Sequence, residues 1–554
     1  MKVQPLLFDH YKRRRTALNQ LLSFPQIAAK PKRQKPFNLM EVWSLILLCL
    51  SLFLPLALLL HRKQRSGPPH RRLPPGPPAF PLVGNLLWLR RSVSDIKPIL
   101  RSLRARYGPL LTLHIGSRRS IFVVDRALAH KLLVESGAAF ADRPLAQPIN
   151  LLLGSREVDI NGTPYGPRWR VLRRNLTAEI LHPSRVRLYG QGRDKVLGIL
   201  LGEFRRRAGT AEPVVVVECF QYAMFCLLVF MCFGEILDEK AIREIEKAQR
   251  DFLLYVVKLD VFVFLPWIAQ WVFRNRRKRF LELRQKQEDV LIPLIRARRG
   301  LRDEGRKNRD DNSFQYCYVD SLLDLEVPDN KGGRTMKLTD EEMIGLCSEF
   351  LDAGTDTTST ALQWIMANLV KHQPVQAKLF DEISDVVGDA REVSEEDLGK
   401  LPYLKAVVLE GLRRHPPGHF VLPHAATEDA TVDGYVIPSK ATTLNFLVTE
   451  INWDAKVWED PMEFRPERFL PGGEGADVDI TGSRDMKMMP FGAGRRICPG
   501  IGLAMLHLEF FVANLVRAFE WKPVDGGEVD LTETLAFTVV MKNPLRACVV
   551  PRRR

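Results

Sequence analysis

The apolar positions of this chain form one continuous run and a long periodic series. From Val42 to Leu60 the sequence reads VWSLILLCLSLFLPLALLL, 19 residues without a charge. A helix of about 20 such residues crosses the ~30 Å hydrocarbon core of a bilayer, and Pro55 is tolerable in a membrane helix. The run is apolar all round and ends in His61, Arg62, Lys63 and Arg65, which favours a membrane anchor over a buried core helix. No comparable run is evident further on, so one span is predicted. Five prolines between Pro74 and Pro81, in RRLPPGPPAFPLVGN (Arg71 to Asn85), cannot continue a helix and predict a stiff, extended spacer.

Beyond Pro81 the periodicity is mostly helical. Alternation in LLTLHIG (Leu110 to Gly116) and SIFVVD (Ser120 to Asp125) predicts a hairpin around SRR, with further strands at Ala430 to Pro438 and Ala536 to Lys542. Helical patterns fill 240–300 and 338–420, and the charged stretch Arg296 to Ser313 is expected to be a surface loop. There is no internal repeat and no strand–helix alternation, so the predicted class is mainly α with small β-sheets. One helix stands out. Thr339 and Glu342 make a capping box, and the pattern runs to about Lys371, before Pro374; a helix of ~32 residues is ~48 Å long and crosses a whole domain. Its middle, AGTDTTST (Ala353 to Thr360), holds poor helix formers and predicts a local distortion.

Charge changes the picture mainly at the N-terminus. The 554 residues carry a net +16, and residues 1–39 hold nine Lys/Arg against Asp9 alone, half of the excess. With no zinc-finger or RNA-binding motif beside it, this arm predicts no nucleic-acid partner. Basic residues after the span place the C-terminal bulk in the cytosol, yet a basic leader prefers the same side. A start at Met40, followed by Glu41, resolves the conflict and makes 1–39 an extension of doubtful function. A transit peptide is the alternative, against which stands its low serine content. The expected organisation is 1–39 extension, 40–62 anchor, 63–81 basic and Pro-rich hinge, and 82–554 body. The eight cysteines show no C-x-x-C and no framework spacing, which predicts neither zinc site nor disulfide scaffold and fits a reducing compartment.

One cysteine differs from the rest. Cys498 lies in PFGAGRRICPG (Pro490 to Gly500), among glycines and beside Arg495 and Arg496. Nearby cations lower a thiol's pKa, and a thiolate serves as nucleophile or metal ligand. A nucleophile wants a base, and only His507 is near; a thiolate ligand to haem iron wants glycines, backbone N–H groups at the sulfur and cations for the propionates. Gly492 and Gly494 also begin a dinucleotide fingerprint, but Ile497 occupies its third glycine position, so nicotinamide is not expected to bind this chain directly.

Phe491, Gly494, Arg496, Cys498 and Gly500 match F-x-x-G-x-R-x-C-x-G, and here the sequence resembles the cytochrome P-450 monooxygenases. Other motifs fall in family order: Glu410 and Arg413 as E-x-x-R, Arg468 in PERF, Trp169 and Arg173 in WRVLR, His424 in LPHAATED, and Gly354, Asp356 and Thr357 in AGTDTT. The resemblance covers nearly everything from Leu73 onward. It implies the P-450 fold, with a long central helix over haem b and Cys498 as axial thiolate pushing electron density onto iron. It further implies Trp169, Arg173, His424 and Arg496 at the propionates, with Phe491, Gly494 and Gly500 shaping the haem loop. Glu410, Arg413 and Arg468 become a structural network bracing the pocket. Gly354 opens a groove, Thr357 hydrogen-bonds the oxygen being activated, and Asp356 feeds a proton relay.

The resemblance leads to the expectation of an endoplasmic-reticulum-anchored monooxygenase, single-pass and facing the cytosol (a plastid membrane if the leader is a transit peptide). It takes electrons from NADPH through a cytochrome P-450 reductase and is expected to be a monomer. Arg168, Arg170, Arg174 and Arg495 are candidate docking charges for the reductase. FADRP (Phe140 to Pro144) and KNPLRA (Lys542 to Ala547) look most like plant microsomal members. Two rivals are an O₂-independent member rearranging peroxides and a haem-binding sensor without turnover. The pocket is expected from Arg143 to Asp159, Leu253 to Val263, Leu346 to Ala353 and HPPGHFVLP (His415 to Pro423), with His419 and Phe420 as contacts. These largely apolar stretches predict a small lipophilic substrate.

Overall fold

The computed structural model of the chain describes residues 51, 72–79, 84–85, 96–115, 118–144, 159–208, 212–256, 259, 273–305, 315–328, 334–388, 391–439, 442–524 and 527–552. The chain divides into the units Met1–Ser66 and Gly67–Arg554, and of the first only Ser51 is described. The leader and the run Val42 to Leu60 thus lie outside the described residues. So do most of the stretches 145–158 and 257–263 expected at the pocket.

The proline tract is held against the body where it is described. The Thr112 N–H donates to the Pro75 carbonyl at 2.8 Å and the Val436 N–H to the Arg72 carbonyl at 2.9 Å. A Cβ on Gly76 would run into the Thr112 carbonyl. Strand Leu110–Ile115 pairs antiparallel with Arg118–Val123, which pairs in parallel with Thr442–Phe446. Arg118 and Arg119 thus belong to the second strand, where a turn was expected, because their backbone groups oppose Ile115 and His114. The single strand expected over Ala430 to Pro438 is a hairpin, Ala430–Val432 against Tyr435–Ile437. Asp433 (φ +49°) and Gly434 (φ +80°) occupy its turn, the Asp-Gly pair that a type I′ hairpin demands. Only Val539–Met541 of the last expected strand is β, paired with Glu533–Leu535.

Helices form the bulk. Arg274–Gly305 is one helix of 32 residues, so the expected loop is helical as far as Gly305. The cause is tethering: Arg298 meets Asp320 at 2.7 Å in a buried ion pair, and Arg302 pairs with Asp324. The expectation of a single long apolar run also needs correction. Val216–Phe233 and Ile501–Ala518 are each 18 residues and apolar enough to cross a membrane, but most of each is buried inside the protein.

The long helix spans Asp340–Lys371, and Thr339 with Glu342 forms its capping box. It runs unbroken through Ala353 to Thr360, where a distortion was expected. Two of the hydroxyls there are absorbed by the helix itself: Thr357 donates to the Ala353 carbonyl at 2.6 Å and Ser359 to the Thr355 carbonyl at 2.8 Å, a common fate of helical Thr and Ser. Neighbouring helices approach closely through glycines. A Cβ on Gly354 would lie 2.6 Å from Leu228 Cδ1, and one on Gly411 would run into Ile365. Gly411→Ala gains about 1 kcal/mol of helix propensity but overpacks the interface at a cost of about 1–3 kcal/mol. The expected net outcome is a lower thermal unfolding midpoint, and Gly411→Val lowers it further.

Candidate active site around Cys498

The loop Pro490 to Gly500 is shaped by its backbone. Gly492 (φ +70°) and Gly494 (φ +71°) lie in the left-handed region, which a side chain disfavours. A Cβ on Gly494 would run into the Leu133 carbonyl, and one on Gly492 would lie 3.4 Å from Val421 Cγ1. These glycines therefore clear the protein's own chain. Gly494–Arg496 forms a 3-10 turn, and the Cys498 N–H closes the loop on the Phe491 carbonyl at 2.9 Å. The helix Ile501–Ala518 comes next, with Gly500 as its cap.

Cys498 is half-buried. Burial pushes its thiol up, opposed by the Gly500 N–H at the sulfur and by Arg173. Coordination to a metal deprotonates such a thiol outright. Among the described residues no group of three or more His, Cys, Asp or Glu is arranged to hold a metal ion.

Beside the loop sits a cluster of guanidiniums. Arg173 donates to the Ile497 carbonyl, next to Cys498. Arg496 donates to the carbonyls of Ala141 (2.8 Å), Ile160 (3.0 Å) and Thr163 (2.7 Å) and lies 4.6 Å over the Trp169 ring. Carbonyls satisfy its N–H groups without neutralising its charge. Burial pushes the Arg496 guanidinium down to about 9, with Arg143 adding to the effect, and burial pushes Arg143 down to about 10. The Trp169 indole N–H is buried without a hydrogen-bond partner, a costly state for a donor. Crowded buried cations around an orphan donor call for anionic acceptors.

His424 fits that picture less well than expected. Its Nδ1 lies 2.7 Å from the Phe140 carbonyl, which leaves Nε2 as an acceptor. Burial pushes the ring down to about 3, helped by Arg143, so it offers no N–H to a carboxylate unless the anion itself brings a proton onto it.

Sequence reasoning missed two partners of this cluster. Arg143, marked in the sequence only within FADRP and as the start of an expected pocket stretch, is buried and donates to the carbonyls of Asn161 (2.6 Å), Leu422 (3.0 Å) and Pro423 (2.8 Å). Glu349, on the long helix, accepts from the N–H groups of Ile160 (2.6 Å) and Asn161 (2.8 Å). Burial, with Asp159 adding, pushes its carboxyl up to about 8. The available signal was an acid, Glu349, set in the apolar run Met343 to Leu351 of a core helix.

On the long helix, Ala353 is exposed and Thr357 half-exposed, while most of the stretch from Met343 to Val370 is buried. Those two therefore form an open edge one turn long. Thr357 gives its hydroxyl proton to the Ala353 carbonyl and presents lone pairs. Asp356 turns away, toward Arg250 at 3.3 Å, and burial raises its carboxyl against that cation's pull. Gly354 faces Leu228, so its lack of a side chain serves helix packing where a groove was expected. Leu346 and Phe350 are buried in the core.

Glu410, Arg413 and Arg468 come together in the core, none more than 1% exposed. Arg413 grips Glu410 through two bonds, 2.6 and 2.8 Å, and Arg468 reaches it at 3.4 Å. Arg413 also donates to the Asn452 carbonyl at 3.1 Å, and Asn452 Oδ1 accepts from the Met489 N–H at 2.8 Å, which leads into the Cys498 loop. Among the docking candidates, Arg168 is engaged by Glu342 at 2.6 Å in a mostly buried pair, which removes it. Arg170, Arg174 and Arg495 are exposed.

The profile of the cytochrome P-450 family matches residues 74–549. The chain belongs to the cytochrome P-450 family. Cytochrome P-450 89A9 of Arabidopsis thaliana is 48% identical over 494 residues, which cover 87% of this chain and 94% of that one. The flavonoid 3'-monooxygenase of the same plant is 32% identical over 520 residues, 92% of this chain and 96% of its own. A rice (Oryza sativa subsp. japonica) tryptamine 5-hydroxylase is 33% identical over 524 residues, 91% of this chain and 95% of its own. A zebra fish cytochrome P-450 solved with progesterone superposes with a TM-score of 0.67 at 23% identity, over 83% of this chain and 100% of that chain, which establishes the fold. This P-450 is accordingly a plant-type monooxygenase with the family's haem and thiolate iron ligand, and the buried cations with the orphan Trp169 N–H fit that group's two carboxylates. Glu410→Gln should leave two buried guanidiniums underpaired, costing about 3–5 kcal/mol. The readout is a sharp fall in folded, haem-loaded protein, whereas Arg168→Met should cost less, because Glu342 keeps the Thr339 N–H as a partner.

Proposed function

We propose that this P-450 inserts one oxygen atom of O₂ into a small lipophilic molecule, with electrons from NADPH delivered by a membrane-bound reductase. The observation that carries the reading is the Cys498 sulfur, served by the Gly500 N–H and faced by Arg173, beside the cation cluster and the unpartnered Trp169 N–H. The haem, when bound, supplies the redox chemistry that activates O₂.

The chain's own residues would then divide the work. Cys498 is the iron ligand. Trp169, Arg173 and Arg496 hold the propionates, with His424 joining only as an imidazolium, and Phe491, Gly494 and Gly500 keep the loop in shape. Thr357 offers its oxygen as acceptor at the open edge of the long helix and turns over its proton there, while Asp356, tethered to Arg250, stores a proton one residue away. Glu410, Arg413 and Arg468 hold the loop's approach rigid. Arg170, Arg174 and Arg495 present positive charge to an acidic flavoprotein, and the span Val42 to Leu60 anchors this chain at the endoplasmic reticulum, its body in the cytosol on the same membrane surface as the reductase. The leader 1–39 is dispensable in this reading.

Reconstitution with NADPH–cytochrome P-450 reductase in phospholipid vesicles tests the proposal, with oxygen uptake and NADPH oxidation as readouts. Thr357→Ala should keep consuming NADPH while product falls on the order of 100-fold; equal loss of both, or of neither, contradicts the proton role. Replacing Arg170, Arg174 and Arg495 by Glu should raise the reductase concentration needed for half-maximal rate. That difference should shrink as salt rises from ~0.01 to ~0.15 M, where the screening length falls from ~30 to ~8 Å; a salt-independent effect contradicts docking.

A further inference from the structure

Two apolar segments reach the open edge of the long helix from outside it. The hairpin Glu533–Leu535/Val539–Met541 is docked on that helix: Thr538 Oγ1 meets Thr360 Oγ1 at 2.8 Å, and Trp364 Nε1 donates to the Val539 carbonyl at 2.8 Å. Thr360 is three residues past Thr357, so the hairpin's end lies beside the site. The bend His415 to Pro423 joins the same hairpin through the Val539 N–H and the Pro417 carbonyl, 2.8 Å, and reaches the cysteine loop where Val421 abuts Gly492. Both segments leave large apolar side chains uncovered: Leu422 is 52% exposed, Leu535 41% and Phe537 40%.

Behind these segments lies a cluster that the function described so far does not use. Glu533 Oε2 is 2.6 Å from Lys97 Nζ and 3.0 Å from His419 Nε2, and Lys97 Nζ is 3.0 Å from that same nitrogen. His419 Nε2 serves one neighbour at a time, accepting from Lys97 or, when protonated, donating to Glu533. His415 Nδ1 stands 3.6 Å from Glu533 Oε1, and its ring stacks on Trp364 at 4.1 Å. Lys97 also lies 4.9 Å over the Trp453 ring. Burial alone would raise the Glu533 carboxyl, but His415, His419 and Lys97 hold it well below the usual carboxylate range. His419, expected as a pocket contact, is buried in this cluster.

The three partners come from the helix Ile96–Tyr107, the bend and the hairpin. Buried ion clusters add little to stability compared with apolar packing, and their best-attested use is to fix register. We propose that Lys97, His419 and Glu533 form a latch that sets the spacing between the Leu422 bend and the Leu535–Phe537 tip. In doing so they gauge the size of the neutral, apolar substrate that reaches the site. They touch no substrate and act as positioning residues. The inference rests on the haem-thiolate reading above.

Azole probes test it, because an azole nitrogen binds the iron and shifts the Soret band whatever the natural substrate is. Imidazole is the small probe and clotrimazole the bulky apolar one, titrated into the holoenzyme. Glu533→Gln should change the clotrimazole Kd by about 10-fold, equivalent to about 1.4 kcal/mol, while imidazole stays within about twofold. Glu533→Asp, which keeps the charge, should fall between. Lys97→Met, on a separate helix, should reproduce the selective change if Glu533→Gln does not fold. Parallel shifts for both azoles, or none in any folded variant, overturn the latch. A wild-type protein that gives no azole shift overturns the haem reading, and the latch falls with it.

Discussion

A carboxylate buried between two guanidiniums is the constraint on which the rest of this structure depends. Glu410 is fully buried and accepts from both Arg413 and Arg468. Charges so placed are costly to desolvate and are retained where they hold a geometry. Arg413 and Asn452 pass that geometry on to Met489, one residue before the loop that carries Cys498. The sulfur is thus positioned by a chain of bonds that begins on the helix of Glu410 and ends one residue before the loop. The loop's own glycines do the rest by letting it turn against Leu133 and Val421.

The site's electrostatics are unbalanced within the chain itself. Arg143, Arg173 and Arg496 are driven down mainly by burial, their N–H groups answered largely by carbonyls. Asp142, Asp159 and Glu349 face them, but burial raises the carboxyls of Asp159 and Glu349 toward the neutral form, so they answer less of the charge than their number suggests. An anionic cofactor completes such a cluster and gives the orphaned Trp169 N–H an acceptor. On the bend and the hairpin tip the apolar side chains of Leu422, Leu535 and Phe537 remain uncovered.

Much of this was legible in the sequence, for definite reasons. Cys498, Glu410 and Arg413 are found because short fixed spacings carry them, and the long helix because Thr339, Glu342 and Pro374 punctuate it. The Asp433-Gly434 turn is present in the sequence, but the apolar residues on either side of it mask it as a single strand. What the sequence could not give was direction: AGTDTT marked Thr357 and Gly354 without saying which way each would face, and the apolar run Val216–Phe233 passed unnoticed. Thr357 bonds back to Ala353, Gly354 packs on Leu228, and the apolar run is core. Contacts across the chain were invisible altogether. Lys97 and Glu533 stand 436 positions apart, and nothing local to either announces the other.

The central claim is that the Cys498 sulfur binds haem iron. Carbon-monoxide difference spectroscopy of the reduced protein tests it most directly, comparing wild type with Cys498→His, which supplies a nitrogen ligand in place of sulfur. The account predicts the red-shifted Soret band of thiolate ligation in the wild type and its replacement by the shorter-wavelength band of nitrogen ligation in a variant that still holds haem. A thiolate band that survives in Cys498→His, or its absence from folded, haem-loaded wild type, would contradict it.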